Sequence, residues 1–220
     1  HAMCDWFDET CGQLIDHLEK TGVRDNTLIV YVTDNGWIQS PDSSRYAPRS
    51  KQTPYEGGIR TPIMFSWPAR LKPADRSELV SSIDLVPTML AAAGAKIPGD
   101  LPGLNLLPQL ESGEKIGRDT IFGESFAHDI ADVEDPEASL LFRWAIEGRW
   151  KLLLTYDGEV NRYKSTHPRT EKRPQLFDLL ADPSEEKNLA GDNPEVVARL
   201  AKKISDWNPV KKRQVITTFE

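Results

Sequence analysis

Two hydrophobic patterns alternate along the first third of the chain. Between residues 3 and 20, apolar side chains recur at spacings of three and four, which predicts an amphipathic helix with Met3, Phe7, Cys11, Leu14 and Leu18 on its inner face. The run Leu28-Ile29-Val30-Tyr31-Val32 is continuously apolar and β-prone, which predicts a strand over 27–33 buried on both faces of a parallel sheet. A helix followed by such a strand is typical of an α/β fold.

The pattern changes near residue 116. Before it, we predict a strand at 61–65, a helix at 82–94 and a connector rich in Pro, Gly and Leu at 95–116. After it, short strands are predicted at 120–125, 140–147, 150–156 and 175–178, and a helix begins near Pro194. The sequence therefore predicts two parts, an α/β part over 1–116 and a small antiparallel-sheet part over 117–220.

Composition and charge narrow the class of protein. The 220 residues are 39% hydrophobic and 28% charged, which is ordinary for a globular protein. The net charge of -7 argues against nucleic acid as the main partner. No apolar stretch approaches the roughly 20 residues of a membrane span.

Candidate chemistry follows the first predicted strand. Asp34 and Asn35 come directly after it, where ligands bind in open α/β sheets, and offer hard oxygen ligands that suit Ca²⁺ or Mg²⁺. Lys51 supplies a mobile positive charge for an anion a short loop later. Asp-Asn-Gly is also a common turn sequence, so the residues alone leave both interpretations open.

The loop between these groups is long and polar. Residues 37–56 exceed an ordinary connection, which favours a functional loop. Arg45, Arg49 and Lys51 concentrate positive charge there, which predicts anion binding, although a solvated loop is the alternative. Trp37 either walls the site or simply packs.

Several motifs, in order, carry a resemblance to a known family. The segments Asp25-Asn26-Thr27 through Gly36, Tyr55-Glu56-Gly57-Gly58-Ile59-Arg60-Thr61-Pro62 and Gln175-Leu176-Phe177-Asp178-Leu179 through Leu189 resemble the formylglycine-dependent (type I) sulfatases. From Met3 to about Trp207, the chain resembles the carboxyl-terminal portion of a sulfatase of that family. The resemblance implies an α/β fold with an alkaline-phosphatase-like mixed sheet flanked by helices, here partial. A small α+β subdomain with an antiparallel sheet and a C-terminal helix would follow.

The resemblance also assigns roles. Asp34 and Asn35 would be metal ligands, with Ca²⁺ expected and Mg²⁺ the alternative. Lys51 would contact the sulfate and the leaving-group oxygen, and His128 would contact substrate. The expected partner is a sulfated small molecule or carbohydrate, and the parent protein would be periplasmic or secreted.

One departure from the family pattern stands out. The nucleophile of these sulfatases is a formylglycine made from Cys in a Cys-x-Pro/Ala-x-Arg motif, and neither Cys4 nor Cys11 lies in such a motif. We expect instead that both cysteines are core residues of the first helix, about 10.5 Å apart and too distant for a disulfide. The chain would then carry part of a metal and sulfate site without the nucleophile, would be inactive alone, and would self-associate through exposed sheet edges.

Two alternatives remain at this stage. A phosphodiesterase or phosphonate hydrolase of the same superfamily would use a similar metal loop. A non-catalytic, truncated binding module would bind a ligand without hydrolysing any ester.

Overall fold

The structure, a computed structural model, describes residues 2–129, 131–160 and 171–217. The helices of this part are α1 (Ala2–Lys20), α2 (Glu56–Ile59), α3 (Leu85–Ala92), α4 (Leu107–Ser112) and α5 (Pro194–Trp207). Its strands are β1 (Ile29–Val32), β2 (Ile63–Ser66), β3 (Thr120–Phe126), β4 (Leu140–Glu147), β5 (Trp150–Thr155) and β6 (Gln175–Asp178).

The chain forms two compact units. The first contains the residues up to Val32 together with Pro62–Arg118, and the second contains Thr33–Thr61 together with the residues from Asp119 onward. The domain boundary predicted between residues 116 and 117 stays a prediction. By compactness, the long polar loop groups with the later antiparallel sheet.

In the first unit, β1 and β2 pair as a two-stranded antiparallel sheet. Ile29 lies opposite Ser66 and Val32 lies opposite Ile63. The predicted strand exists, but its predicted parallel pairing and two-sided burial are wrong for the described residues, since β1 is half-buried and Val32 is exposed. An apolar run shows that a segment is β-prone and gives neither the direction nor the identity of its partner.

The helix α1 has the predicted extent but not the predicted burial. None of its residues is buried, and the exposed apolar side chains include Met3, Trp6, Phe7 and Leu14. Cys4 is exposed and Cys11 half-buried, both as free thiols, so the expectation that they are core residues is wrong. Periodicity identifies the apolar face of a helix and does not supply the surface that would cover it.

A buried carboxylate organises the remainder of the first unit. Asp84, at the start of α3, accepts hydrogen bonds from the Arg118 guanidinium at 2.5 and 2.7 Å and from the backbone amides of Leu104 and Ser81 at 2.8 and 2.9 Å. Burial raises the pKa of Asp84, but these hydrogen bonds outweigh burial and the pKa is lowered. Asp84 therefore stays ionised and fixes the chain on both sides of α3.

The second unit is built on a four-stranded antiparallel sheet in the order β3-β4-β5-β6. A tight turn at Gly148, whose φ is +57°, joins β4 to β5 and sets Glu147 opposite Trp150. The helix α5 covers one face, where Leu200 and Ile204 join a core with Ala145, Leu152 and Leu176. The later strands and the last helix lie within two residues of their predicted positions.

None of the helices in the described ranges is long and apolar enough to cross a membrane. The α/β class with an antiparallel subdomain and a C-terminal helix, predicted from the sequence, is confirmed.

Candidate functional site

The predicted site residues all fall in the second unit. Asp34 and Asn35 follow the end of β1, Lys51 lies in the long loop, and His128 lies in the turn after β3. The structure holds the first three on a single folded loop, Thr33–Thr61.

The two predicted metal ligands form a compact turn. The Asn35 backbone amide donates to Asp34 Oδ1 at 2.9 Å, and Asn35 Nδ2 donates to the Gly36 carbonyl at 2.8 Å. Asp34 is exposed and Asn35 half-buried. A carboxylate and an amide are thus presented side by side at the end of a strand.

Glycines let two segments of the loop touch at their backbones. The Gly36 amide donates to the Gly58 carbonyl at 2.8 Å. A Cβ on Gly36 would meet the Gly57 carbonyl oxygen at 2.3 Å, and a Cβ on Gly58 would meet the Ser50 carbonyl oxygen at 2.4 Å. The Gly57-Gly58 pair is needed because any side chain there would separate the Asp34–Gly36 turn from the segment that carries Lys51.

Lys51 lies in a tight and unusual turn. The neighbouring Ser50 is buried, and its hydroxyl accepts a hydrogen bond from the Ile38 amide at 2.5 Å. Arg49 and Gln52, on either side of the Ser50-Lys51 pair, have φ values of +57° and +64°, in the left-handed region that non-glycine residues rarely adopt. Such backbone conformations persist only where surrounding contacts enforce them.

An exposed tryptophan accompanies the lysine. Lys51 Nζ lies 5.7 Å from the centre of the Trp37 ring, and Trp37 packs edge-to-face on Tyr46 with ring centres 5.2 Å apart. The Tyr46 hydroxyl donates to Gln52 Oε1 at 2.6 Å, which ties this aromatic pair to the lysine turn. Trp37 remains 51% exposed. The lysine therefore has an aromatic neighbour that immediately follows the Asp34–Gly36 turn.

Arg49 attaches the loop through its guanidinium. The guanidinium donates to the Glu185 carbonyl oxygen and lies 4.8 Å from the centre of the Tyr55 ring. Arg45 is exposed. The anion binding predicted for Arg45, Arg49 and Lys51 stays a prediction.

A buried ion cluster attaches the loop to the sheet, on the face opposite α5. Lys151 Nζ, on β5, lies 2.7 Å from Glu185 Oε1 and 3.1 Å from Glu56 Oε1. Lys151 is 0% exposed and Glu185 is 1% exposed. Burial raises the pKa of Glu185, with the attraction of Lys151 acting in the opposite direction. We refer to Lys151, Glu56 and Glu185 as the loop anchor.

Sequence reasoning missed the loop anchor. One signal was available, since Lys151 interrupts the apolar run Trp150 to Leu154, and a lysine inside a buried strand requires a paired carboxylate. Nothing in the local sequence around Glu185 indicates that it would be that partner.

The donor set fits a hard cation in part. Asp34 and Asn35 contribute oxygen ligands, whereas Ca²⁺ takes about six to eight. Across the described ranges, no group of three or more His, Cys, Asp or Glu side chains is arranged to hold a metal ion. The pair therefore suits one part of a coordination shell. His128 is exposed, and its substrate contact stays a prediction.

Comparison with known proteins identifies the family. The sulfatase family model matches residues 2–95, and the model described as N-sulphoglucosamine sulphohydrolase, C-terminal, matches residues 49–209. Arylsulfatase K of Xenopus laevis is 32% identical over 207 residues, which cover 93% of this chain and 35% of that protein. Human arylsulfatase A is 30% identical over 88% of this chain and 40% of its own length.

A solved structure supports the same assignment. BT4656, solved in complex with its substrate D-glucosamine-2-N,6-O-disulfate, superposes with a TM-score of 0.70 at 25% identity, covering 91% of this chain and 37% of BT4656. The chain thus spans about two fifths of the length of these relatives or less. With one family model matching through the Asp34–Gly36 turn and the other through the antiparallel sheet, the chain belongs to the sulfatase family, with the alkaline-phosphatase-like fold.

Proposed function

We propose that the whole protein hydrolyses a sulfate ester and that this chain supplies part of the active site. The observation that carries the proposal is the folding of Asp34, Asn35 and Lys51 onto one loop, in which the Gly36 amide is bonded to Gly58 and Lys51 Nζ lies beside the Trp37 ring. Two hard oxygen ligands and a cationic side chain on one loop suit the binding of an anionic ester.

The proposed roles follow from where charge develops. Cleavage of a sulfate ester gathers negative charge on the leaving oxygen and on the sulfuryl oxygens. Lys51 would hold the sulfate and stabilise the leaving oxygen, since a fixed positive charge in a shielded site favours that charge distribution. Asp34 and Asn35 would hold a divalent cation, Ca²⁺ by preference and Mg²⁺ as the alternative, which supplies Lewis-acid stabilisation when bound.

The cysteines do not fit the formylglycine nucleophile. Cys4 and Cys11 are free thiols on α1, outside any Cys-x-Pro/Ala-x-Arg motif. We therefore assign no nucleophile within these residues and propose that the 220-residue chain alone binds without turning over. His128 is proposed only as a further substrate contact.

The proposed substrate class is a sulfated carbohydrate. BT4656 carries a disulfated glucosamine as its substrate. An exposed tryptophan beside the sulfate-binding lysine also suits a sugar ring, whose C–H groups pack on the electron-rich face of an aromatic ring.

Hydrolysis of 4-nitrophenyl sulfate by the whole protein, with Ca²⁺ added, tests the proposal. Asp34→Ala and Lys51→Ala should each lower kcat/KM by about a hundredfold or more, the usual loss when one charge-stabilising group is removed. Lys202→Ala, which removes an exposed lysine on α5, should leave the rate unchanged.

Three outcomes would overturn the proposal. Full activity in both site variants would place the chemistry elsewhere. Turnover of phenyl phosphonate in preference to the sulfate would favour the phosphonate hydrolase alternative. Binding without turnover by the whole protein would favour the non-catalytic module.

A further inference from the structure

We infer that the loop anchor of Lys151, Glu56 and Glu185 is a positioning device that fixes Lys51 for sulfate binding. The inference rests on the proposed role of Lys51 and extends it to Lys151 and Glu185, which lie 100 and 134 positions later in the sequence. It assigns a role to a buried charge cluster that does not itself touch the sulfate.

Glu185 holds the loop on both sides of Lys51. Its backbone carbonyl accepts from the guanidinium of Arg49, two residues before Lys51, and its carboxylate accepts from the backbone amide of Glu56, five residues after, at 2.5 Å. Lys151 then binds the same carboxylate and that of Glu56. The segment carrying Lys51 is thus fixed at both ends to Glu185, whose carboxylate Lys151 ties to β5.

The residues with left-handed backbone conformations lie in the lysine turn and in the loop anchor. Among the described residues, the non-glycine residues with positive φ are Arg49, Gln52 and Glu185. Two of them flank the Ser50-Lys51 pair and the third belongs to the loop anchor. Strained conformations of this kind persist where surrounding structure over-determines them. The anchor supplies contacts of that kind for the lysine turn.

Stability alone does not account for a charged cluster at this position. Lys151 lies opposite Phe177 on the sheet, and the ring of Tyr55 lies 6.1 Å from that of Phe177, so the surroundings are largely apolar. Well-packed apolar residues commonly equal or exceed a buried ion pair in stability. What directional ionic contacts add is a single defined loop geometry, and a displacement of about 1 Å at a binding group can cost about a hundredfold in rate.

The test uses the 220-residue chain and inorganic sulfate, with the Lys51 backbone amide followed by NMR titration. Glu185→Gln places an amide donor next to Lys151, and Lys151→Met leaves the carboxylates of Glu56 and Glu185 facing each other. Each variant should weaken sulfate binding about tenfold and speed amide exchange over 49–56. The amides of β4 and β5 should keep their protection. Arg149→Met, which breaks the ion pair with Asp178 on the same sheet, is the matched control and should bind sulfate as the parent chain does.

A pH profile separates positioning from a general loss of structure. In Lys151→Met, the two facing carboxylates repel each other when ionised, so sulfate binding should recover as the pH is lowered from about 8 to about 5. Arg49 also contacts the cluster, since its guanidinium donates to the Glu185 carbonyl oxygen, and the Tyr55 ring lies beside that guanidinium. In the parent chain, sulfate affinity should vary less over the same range.

The outcomes are separable. Sulfate affinity within about twofold of the parent in both variants, with the sheet still protected, overturns the inference. If either variant loses the protection of the sheet, Glu56→Gln decides instead, since it keeps the contact of Lys151 with Glu185, and an unchanged affinity there overturns the inference. Sulfate binding that survives Lys51→Ala overturns the proposed function itself, whereas loss in Lys51→Ala alone defeats only the positioning role.

Discussion

The backbone amide of Gly36 donates a hydrogen bond of 2.8 Å to the carbonyl oxygen of Gly58. This one bond joins the turn of the predicted metal ligands to the end of the segment that carries Lys51. Because both partners are glycines packed backbone to backbone, the spacing between the two halves of the candidate site is set by main-chain atoms. Side-chain rotamers play little part in that spacing.

Gly36→Ala should therefore separate the two halves of the site. The new Cβ would lie 2.3 Å from the Gly57 carbonyl oxygen, so the backbone must move. We expect a loss of stability of about 1–3 kcal/mol, in the range of overpacking, and a loss of Ca²⁺ and sulfate binding. Calorimetric titration and thermal unfolding measure both. Gly191→Ala, where a Cβ meets nothing within 4 Å, is the control, and equal behaviour of the two variants would contradict the prediction.

Trp37→Ala should weaken binding of a sulfated monosaccharide more than binding of inorganic sulfate. The sugar loses its stacking surface, worth about 1 kcal/mol or about fivefold in affinity, whereas sulfate alone needs only the charge of Lys51. Titration with D-glucosamine-2-N,6-O-disulfate and with sulfate gives the comparison. Trp6→Ala, another exposed tryptophan, should change neither affinity. Equal weakening for both ligands would mean that Trp37 acts only on Lys51.

Asp84 should make the first unit sensitive to acid. The folded pKa of Asp84 lies below its ordinary value of 3.8, so its carboxylate stabilises the fold above that value and the stabilisation is lost as the pH falls through the lowered pKa. Urea unfolding at about pH 7 and about pH 3 should show this loss. Asp84→Asn should cost about 3 kcal/mol at neutral pH, because Arg118 is left without its carboxylate, and should flatten the acid dependence. If Asp84→Asn loses as much stability at low pH as the parent chain does, other carboxylates cause the acid sensitivity.

Two leucines of the second unit should respond very differently to truncation. Leu200 on α5 is 0% exposed, whereas Leu180 is 77% exposed. Leu200→Ala should cost about 2–5 kcal/mol through lost burial and the cavity left behind, and Leu180→Ala about 0.5 kcal/mol or less. Denaturant unfolding of both variants measures the difference. Similar costs would show that α5 is not seated on the sheet as described.

The structure offers a surface through which the self-association predicted from the sequence could occur, namely the two-stranded sheet of β1 and β2. In the described part of the chain, β1 and β2 pair only with each other, and Val32 and Met64 on them are exposed. An uncovered strand edge with apolar side chains favours pairing with another chain. Light scattering over a concentration series should show oligomers of the 220-residue chain, and Met64→Lys should reduce them. A concentration-independent monomer would contradict this prediction.

The later strands could be predicted closely because their signals are local. Gly148 and Arg149 mark the turn between β4 and β5, and Pro194 marks the first turn of α5. Hydrophobic periodicity then fixes which residues of these elements face the core, as at Leu200 and Ile204. Information of this kind lies within a few residues of each element.

The pairing of β1 and the loop anchor could not be predicted in the same way. The direction of β1 depends on β2, about thirty residues later, and the charge on Lys151 is balanced by Glu56 and Glu185, on either side of it in sequence. For the candidate site, Asp34, Asn35 and Lys51 were predicted from their position after a strand and from motif resemblance. The hydrogen bonds that hold them on one loop depend on backbone contacts that no local pattern reports.

The exposure of α1 has a thermodynamic consequence. The heat capacity change and the denaturant dependence of unfolding both scale with the surface that becomes accessible. Because none of its residues is buried, α1 has little additional surface to release when it melts. Its loss should therefore contribute little to the heat capacity change of unfolding and to the slope of a urea transition. Far-ultraviolet circular dichroism, which counts helical residues wherever they lie, should report it as a separate and gradual change.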